Sequence, residues 1–156
     1  MKLHNDIIMK RMVVYIAVLV ALVSCTNYPN TPKEMILGEW EMQYFVEYGN
    51  DDVREDIPED LSCKQSITFR EYKSDKFMIE FDYVNTLYTT CSFDSDNRIT
   101  IDDQWGGTEV YDATGWEDTI LRNLAATTHW LVQNDTLYLL FDRNYKSYNA
   151  LCLIKK

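Results

Sequence analysis

Large, mostly apolar side chains occupy every second position of the segment 40–48. They are Trp40, Met42, Tyr44, Val46 and Tyr48, and three of the four residues between them are polar. Side chains alternate between the two faces of a β-strand, whereas a helix would scatter the glutamates around its apolar side. The pattern therefore predicts a half-buried first strand that begins near Gly38.

Shorter alternating or apolar segments follow, separated by polar turns. They predict strands at 66–72, 77–83, 86–93, 99–101, 110–111, 128–133, 136–141 and 148–154, with tight turns at 94–97 and 134–135. The acidic segment 49–61, which contains Pro58, is expected to be a solvated loop. The succession predicts an all-β fold, an eight-stranded up-and-down antiparallel barrel whose interior holds side chains or one small ligand.

One segment has a helical period instead. Trp116, Ile120 and Leu124 repeat at intervals of four, and Thr114 with Glu117 has the spacing of a capping box. We expect one short helix here. It is either a lid or plug across one end of the barrel or a helix that packs on the outside.

The N-terminus has the pattern of an export signal. Lys2, Lys10 and Arg11 precede the uncharged apolar run 12–23, which is too short to span a bilayer but suits a signal peptide. Translation could start at Met1 or at Met9. The expected organisation is a signal peptide at 1–24, a tether at 25–33 and a barrel domain at 34–156.

The signal ends in Leu22, Val23, Ser24 and Cys25, which resembles the lipobox of bacterial lipoproteins. The resemblance implies cleavage before Cys25, a thioether-linked diacylglycerol on its sulfur and a further acyl chain, such as palmitate, on its amine. Thr26 takes the position where an Asp would favour the inner membrane, and no acidic cluster follows. The expected location is the outer membrane, facing the periplasm rather than the cell surface.

The charge of the mature chain excludes one class of partner. Without the leader the chain keeps twelve basic and 24 acidic residues, a net charge of −12. Such a surface repels phosphate backbones, so we expect no nucleic-acid binding. Cys63, Cys91 and Cys152 match no zinc motif, and no calcium-loop spacing is present, so no metal or cofactor is expected. Any one pair of these cysteines, or none, could form a disulfide.

The mature chain resembles the lipocalin-like lipoproteins of Bacteroides-type bacteria. The matching positions are Leu37, Gly38 and Trp40 at the first strand, Trp130, Val132, Asn134, Asp135, Leu137 and Leu139 near the end, and the segment 148–156. The resemblance implies a calycin barrel with a ligand cavity at one end and no catalytic residues.

Two binding functions follow from this pattern. Inward-facing side chains could line a pocket for a small apolar ligand, although any one of them is more readily explained as core. The candidate lining residues are Trp40, Met42, Tyr44, Phe77, Ile79, Phe81 and Tyr83. The alternative is a protein-interaction or inhibitor module that acts on an envelope partner through the acidic loop 49–61 and the Trp105–Gly106–Gly107 corner.

An enzyme is not expected. His129 is the single histidine of the mature chain and lies in a predicted strand, and no Ser or Cys sits in a nucleophile motif. A pair of Cys91 and His129 is conceivable, but a lone His beside a Trp is usually structural.

Overall fold

The computed structural model describes residues 32–58, 64–110, 112, 114–145 and 148–156, and these ranges contain ten β-strands, one α-helix and one 3-10 helical turn. The strands are β1 (Gly38–Glu47), β2 (Asn50–Asp56), β3 (Ser66–Lys73), β4 (Lys76–Asp82), β5 (Thr86–Phe93), β6 (Ile99–Ile101), β7 (Gly106–Gly107), β8 (Thr127–Gln133), β9 (Thr136–Tyr145) and β10 (Tyr148–Lys155). The helix α1 spans Trp116–Ala125, and the 3-10 turn spans Lys33–Ile36. The predicted signal peptide, Cys25 and Cys63 lie outside the described residues.

Eight strands form the wall of a nearly closed barrel. Their order is β6–β5–β4–β3–β1–β10–β9–β8, and neighbouring strands are antiparallel. The strands at the two ends of this order, β6 and β8, meet at a bridge between Arg98 and His129. Beside it, the Trp130 backbone N–H donates a 2.9 Å hydrogen bond to the Asn97 carbonyl oxygen. β2 pairs with β1, and β7 pairs with β5, outside this path. The predicted all-β, eight-stranded antiparallel barrel with one short helix is confirmed.

Alternation along β4 shows how the wall divides inside from outside. Phe77, Ile79 and Phe81 are buried in the large cluster that fills the barrel, while Met78 and Glu80 between them are partly exposed. We call this large cluster the inner cluster. Burying each such side chain contributes about 1.5–3 kcal/mol, so the inner faces of the strands supply most of the stability of the domain.

The predicted single apolar face of the first strand is interrupted by a β-bulge. The pairing of β1 with β10 shifts register between Met42 and Tyr44. A bulge adds one residue to one strand, so the two faces exchange beyond it. Trp40 and Met42 belong to the inner cluster together with Phe45, whereas Tyr44 lies on the outer face. The prediction that Tyr44 shares the face of Trp40 is wrong.

The outer face of β1, β10 and β9 carries a second, smaller cluster, the outer cluster. Its buried members are Val46, Leu140, Ala150 and Cys152, and the rings of Tyr44, Tyr48 and Tyr138 pack against them. The ring centres of Tyr48 and Tyr138 are 5.1 Å apart in an edge-to-face arrangement. These tyrosines thus cover apolar side chains that the strand alternation turns away from the barrel interior.

Helix α1 begins differently from the predicted capping box. Gly115, with φ of 73°, precedes its first turn, and the Thr114 hydroxyl accepts the Trp116 N–H at 3.2 Å. The Glu117 N–H instead donates to the carboxylate of Asp112 at 2.9 Å. The Glu117 side chain does not reach back to Thr114, because it bonds to a residue of the barrel. The helix is confirmed, but its predicted cap is wrong.

Helix α1 closes one end of the barrel. Ile120 and Leu124 are fully buried in the inner cluster, and the Trp116 ring stacks on Phe45 with 6.3 Å between ring centres. The Glu117 carboxylate contacts Asn85, in the turn that joins β4 to β5. Of the two predicted positions, the structure therefore has the helix across a barrel end.

The 3-10 turn closes the opposite end. Ile36 is fully buried in the inner cluster, and its carbonyl oxygen accepts the Trp40 Nε1–H at 2.6 Å. The Lys33 ammonium lies 5.6 Å from the centre of the Phe77 ring. Phe77 lies at the start of β4, whereas Asn85 follows its end, so the turn and the helix lie at different ends of the barrel.

Two local predictions are corrected. Part of the expected acidic loop, Asn50–Asp56, is strand β2, paired with β1. The strand expected at 110–111 is absent at Val110, which is exposed and outside any strand, while Tyr111 is not described. The turn at Asn134 and Asp135 is confirmed, with φ of 49° and 62°, the values of a two-residue hairpin loop that matches the twist of its strands.

Candidate functional site

Six of the seven residues predicted to line a cavity lie in the inner cluster. They are Trp40, Met42, Phe77, Ile79, Phe81 and Tyr83, and all are buried. The seventh, Tyr44, packs against the outer cluster. Whether the inner residues hold a ligand stays a prediction.

Aromatic rings contact one another across the barrel interior. The Phe93 ring lies 4.8 Å from Phe77, 5.5 Å from Trp130 and 6.4 Å from Phe69, measured between ring centres. These contacts connect β3, β4, β5 and β8. Such packing of rings is typical of a filled protein core. The burial of these side chains is therefore explained by their role in the core.

One polar atom in this apolar interior has no partner. The indole Nε1 of Trp130 is buried and makes no hydrogen bond. Among the described residues, the Ser66 hydroxyl is also buried without a hydrogen-bond partner. A buried donor without a partner costs about 1–3 kcal/mol, so each such atom calls for an explanation. The unpartnered Nε1 of Trp130 is the observation that favours a ligand inside the barrel.

Cys91 and His129, the conceivable catalytic pair, have different surroundings in the barrel wall. Cys91 lies in the inner cluster, and burial, aided by the carboxylate of Asp102, raises the pKa of its thiol to about 12. His129 lines a notch of about 260 Å³ at the seam between β6 and β8, and its Nδ1 is 2.9 Å from the Thr128 hydroxyl. Cys91 is not among the residues that line the notch.

Cys152 packs in the outer cluster, so Cys91 and Cys152 face opposite sides of the wall and do not bridge each other.

A groove of about 520 Å³ lies on the outer side of the wall, over β3, β4 and β5. We call it the outer groove. Its lining residues are Tyr72, Met78, Tyr88, Thr89, Thr90, Asp102, Asp103 and Gln104. Its volume falls in the range of about 300–1,000 Å³ that is usual for small-molecule sites. Both tyrosines in this lining are open to solvent: the exposed fraction is 52% for Tyr72 and 41% for Tyr88.

Strand geometry holds the tyrosines at the two ends of the groove. Tyr72 precedes the β3–β4 turn, and Tyr88 on β5 pairs with Glu80 near the other end of β4. Met78 lies between them, paired with Arg70 on one side and Thr90 on the other. The outer wall of the barrel thus offers two aromatic rings with an apolar side chain between them.

The segment after β6 forms the polar rim of the groove and is tied to β5 by hydrogen bonds. The Asp102 N–H donates to the Thr90 carbonyl oxygen at 2.8 Å, and the Thr89 hydroxyl donates to the Asp102 carbonyl oxygen at 3.0 Å. Asp103 and Gln104 follow this anchor and are exposed. The rim therefore presents a carboxylate and an amide from a backbone that is fixed at its base.

Charges around the outer groove largely cancel. The Asp102 carboxylate accepts hydrogen bonds from the Thr90 hydroxyl and from Lys76, whose ammonium is 3.0 Å away, and both lower the pKa of Asp102. On the neighbouring strands Arg70 pairs with Glu80 at 3.3 Å. The groove is therefore polar and mildly acidic rather than strongly charged.

The Trp105–Gly106–Gly107 corner, predicted as an exposed contact for a protein partner, lies in the barrel wall. Trp105 is half-buried and packs against the inner cluster, with its ring centre 6.4 Å from that of Phe81. Gly106 and Gly107 pair with Tyr88 and Leu87 as strand β7. The corner is thus part of the barrel wall beside the outer groove, and not a projecting loop.

The residues of the outer groove were not singled out from the sequence. Tyr72 and Tyr88 occupy outward positions of strands that were predicted, but many tyrosines in this chain are buried or half-buried. The available signal was the place of Tyr88 in the strand alternation, between the less exposed Leu87 and Thr89. The joining of β3, β5 and the segment after β6 into one groove depends on tertiary structure.

Comparison with known proteins gives no significant match to a protein-family model, to a curated protein or to a solved structure. Within the described ranges, no helix is both long and apolar enough to cross a membrane. In the same ranges, His, Cys, Asp and Glu side chains form no group of three that could hold a metal ion.

Proposed function

We propose that this protein is a lipid-anchored binding protein of the bacterial cell envelope, which uses the outer groove of a small β-barrel as its binding surface. The groove supports this proposal because it exposes two tyrosine rings on a wall whose interior is occupied by packed side chains. Exposed aromatic side chains beside fixed polar groups are a usual feature of recognition sites. The resemblance to lipocalin-like lipoproteins agrees with a binding role and assigns no catalytic one.

The anchor is proposed on Cys25, at the end of the apolar leader. Two or three acyl chains, at about 0.8 kcal/mol per buried CH₂, hold a protein stably at a membrane. The proposed location is the periplasmic side of the outer membrane. Mass spectrometry of the N-terminal peptide should find acylated Cys25, and Cys25→Ala should leave an unprocessed or soluble form. An unmodified mature N-terminus would contradict the anchor, and protease digestion of whole cells would test the side.

The outer groove can be tested without knowing the ligand. The soluble domain, residues 26–156, is incubated with a detergent extract of bacterial envelopes, and hydrogen–deuterium exchange is followed. We expect slower exchange at β5 and at 102–105, and no such protection in Tyr72→Ala or Tyr88→Ala. Protection confined to other parts of the barrel would contradict binding at the outer groove.

A small apolar ligand inside the barrel is the second candidate, favoured by the unpartnered Nε1 of Trp130. Such a ligand would need one hydrogen-bond acceptor for this N–H within an otherwise apolar site. Native mass spectrometry of protein purified from its host should then show a bound small molecule, and Trp130→Phe should release it. An empty protein that takes up no hydrophobic dye would contradict this candidate.

A further inference from the structure

The chemistry of the outer groove narrows the class of ligand. We infer that it binds a neutral oligosaccharide, and this inference rests on the proposed function of the groove. A sugar ring has an apolar face of C–H groups and a rim of hydroxyl groups. The groove offers a counterpart to each, because the exposed Tyr72 and Tyr88 supply aromatic rings while Asp103 and Gln104 offer hydrogen-bonding groups at the rim.

The polar groups fit hydroxyl groups in particular. A carboxylate accepts hydrogen bonds only, whereas a glutamine amide both accepts and donates. Asp103 makes no ion pair in the described residues, so its carboxylate is available, and Asp102 is held in place by Thr90 and Lys76. Ligand hydroxyl groups can donate to Asp103 and exchange both kinds of bond with Gln104.

The charge pattern disfavours ionic ligands. The mature chain has a net charge of −12, and Asp103 faces the groove, so phosphorylated or sulfated polymers are repelled. A cation would compete with the chain itself, because the Lys73 ammonium already lies 4.9 Å from the centre of the Tyr72 ring and Lys76 already pairs with Asp102. A neutral ligand is not repelled by Asp103 and does not compete for a charged partner, and it would use the face of the Tyr72 ring that Lys73 does not cover.

The separation between the backbones of Tyr72 and Tyr88 indicates a chain of sugars and not a single one. Tyr72 and Tyr88 lie on strands separated by β4 and are offset along it by several residues. With strands about 4.8 Å apart and a rise of about 3.3 Å per residue, their backbones are roughly 15 Å from each other. Met78 forms an apolar floor between them. A short oligosaccharide can stack on both rings at once, whereas a monosaccharide reaches only one.

The test is a glycan array of neutral and anionic oligosaccharides of varied linkage, probed with residues 26–156 and followed by calorimetry on the best binder. We expect binding to neutral oligosaccharides, at least tenfold weaker binding for Tyr72→Ala and for Tyr88→Ala, and near-native binding for Tyr72→Phe, which keeps the ring. Asp103→Asn should also weaken binding. Ile154→Ala, an exposed apolar residue on β10, is the matched control and should leave affinity unchanged.

Three results of the measurements with oligosaccharides would overturn the inference. They are no binding to any neutral oligosaccharide, binding that the tyrosine variants do not alter, and preferential binding of anionic polymers. A peptide library screened in parallel tests the other class of ligand, and binding of peptides alone at the groove would also overturn it. If envelope extract protects the groove while no glycan binds, the sugar inference fails and the proposed binding function stands. If the extract protects only other surfaces, the proposed function fails.

Discussion

The carboxylate of Glu117 accepts two hydrogen bonds from Asn85, one from its backbone N–H at 2.8 Å and one from its side-chain amide at 2.6 Å. Both residues are buried. The Asn85 side chain also exchanges hydrogen bonds with the backbone of Val110, donating at 2.9 Å and accepting at 2.6 Å. Asn85 therefore connects helix α1 and the segment that leads to it with the turn between β4 and β5.

Replacing Glu117 by Gln should loosen this connection. The new amide NH₂ would face a donor of Asn85, so one hydrogen bond is lost and a buried donor is left unpaired, at a cost of about 1–3 kcal/mol. Urea unfolding should show this loss in Glu117→Gln. Asp118→Asn, an exposed neighbour on the same helix, is the control and should change stability by less. Equal stability of the two variants would contradict the role of the pair.

Gly107 should tolerate no side chain. Its φ is 149°, and a Cβ at this position would overlap the backbone carbonyl oxygen of Thr86. Gly107→Ala should destabilise the domain by at least about 1–3 kcal/mol, because backbone of β5 or β7 must move. At Gly106 a Cβ meets no atom within 4 Å, so Gly106→Ala is a matched control. Thermal unfolding of the two variants measures the difference, and an equal fall in both would count against the argument.

Truncation should locate the start of the folded domain. A chain that begins at Gly38 lacks Ile36, which is fully buried and whose carbonyl oxygen accepts the Trp40 indole N–H. Loss of a buried Ile side chain typically costs about 2–5 kcal/mol, so the melting temperature should fall clearly. A chain that begins at Lys33 keeps both contacts and should melt like residues 26–156. A chain from Gly38 with unchanged stability would show that the 3-10 turn contributes nothing.

Cys91 should be unreactive in the folded protein. Burial raises the pKa of its thiol to about 12, compared with an ordinary value of 9.0, so its thiolate fraction near neutral pH falls roughly a thousandfold. Alkylation by iodoacetamide, quantified on the Cys91 peptide, should be very slow in the native protein and fast in urea. Rapid native labelling would mean that the barrel opens readily at β5.

Stability should fall in acid through carboxylates that are held ionised. Burial alone would raise the pKa of Glu39, but hydrogen bonds from Lys156 and Lys64 outweigh it and hold the pKa below its ordinary value of 4.5. A lowered folded pKa gives stability that is present above the unfolded pKa and lost as pH falls through the folded one. The contribution of Glu39 should thus be constant near neutral pH, begin to fall as the pH approaches 4.5, and be lost as the pH falls through the lowered pKa of the folded state.

The measurement is urea unfolding as a function of pH for the parent domain and for Glu39→Gln. The two curves should differ near neutral pH and converge in acid. Glu41→Gln, an exposed glutamate on the same strand, is the control and should follow the parent. A constant difference between the parent and Glu39→Gln at all pH values would refute an electrostatic origin.

The strands could be predicted where burial alternates without interruption. The inner face of β4 is indicated by the alternating Phe77, Ile79 and Phe81, and a hairpin is indicated by Asn134 and Asp135. Both signals are local, so the sequence alone reveals them. β2 escaped prediction since its residues are mostly charged and it is held by pairing with β1. The bulge after Met42 is likewise set by the pairing with β10, which one strand's sequence does not reveal.

The candidate site was less predictable than the fold. The capping motif at Thr114 and Glu117 is present, yet Glu117 bonds to Asn85, which is distant in sequence and adjacent in the folded chain. Tyr72 and Tyr88 are exposed, whereas other tyrosines of the chain are buried or half-buried. Residue type alone does not distinguish the two groups, because their exposure is set by the closed barrel wall. Local patterns define elements, whereas a surface site depends on which elements become neighbours.

The pairing of β1 with β10 sets the moment at which folding can finish. Trp40 lies opposite Lys155 and Val46 opposite Ala150, so β1 takes one neighbour from a segment that is far away in the sequence. Contacts between distant segments form slowly because the intervening chain must first lose entropy. During synthesis the wall therefore stays open until β10 has left the ribosome, and until then the apolar inner faces of the earlier strands are accessible to chaperones.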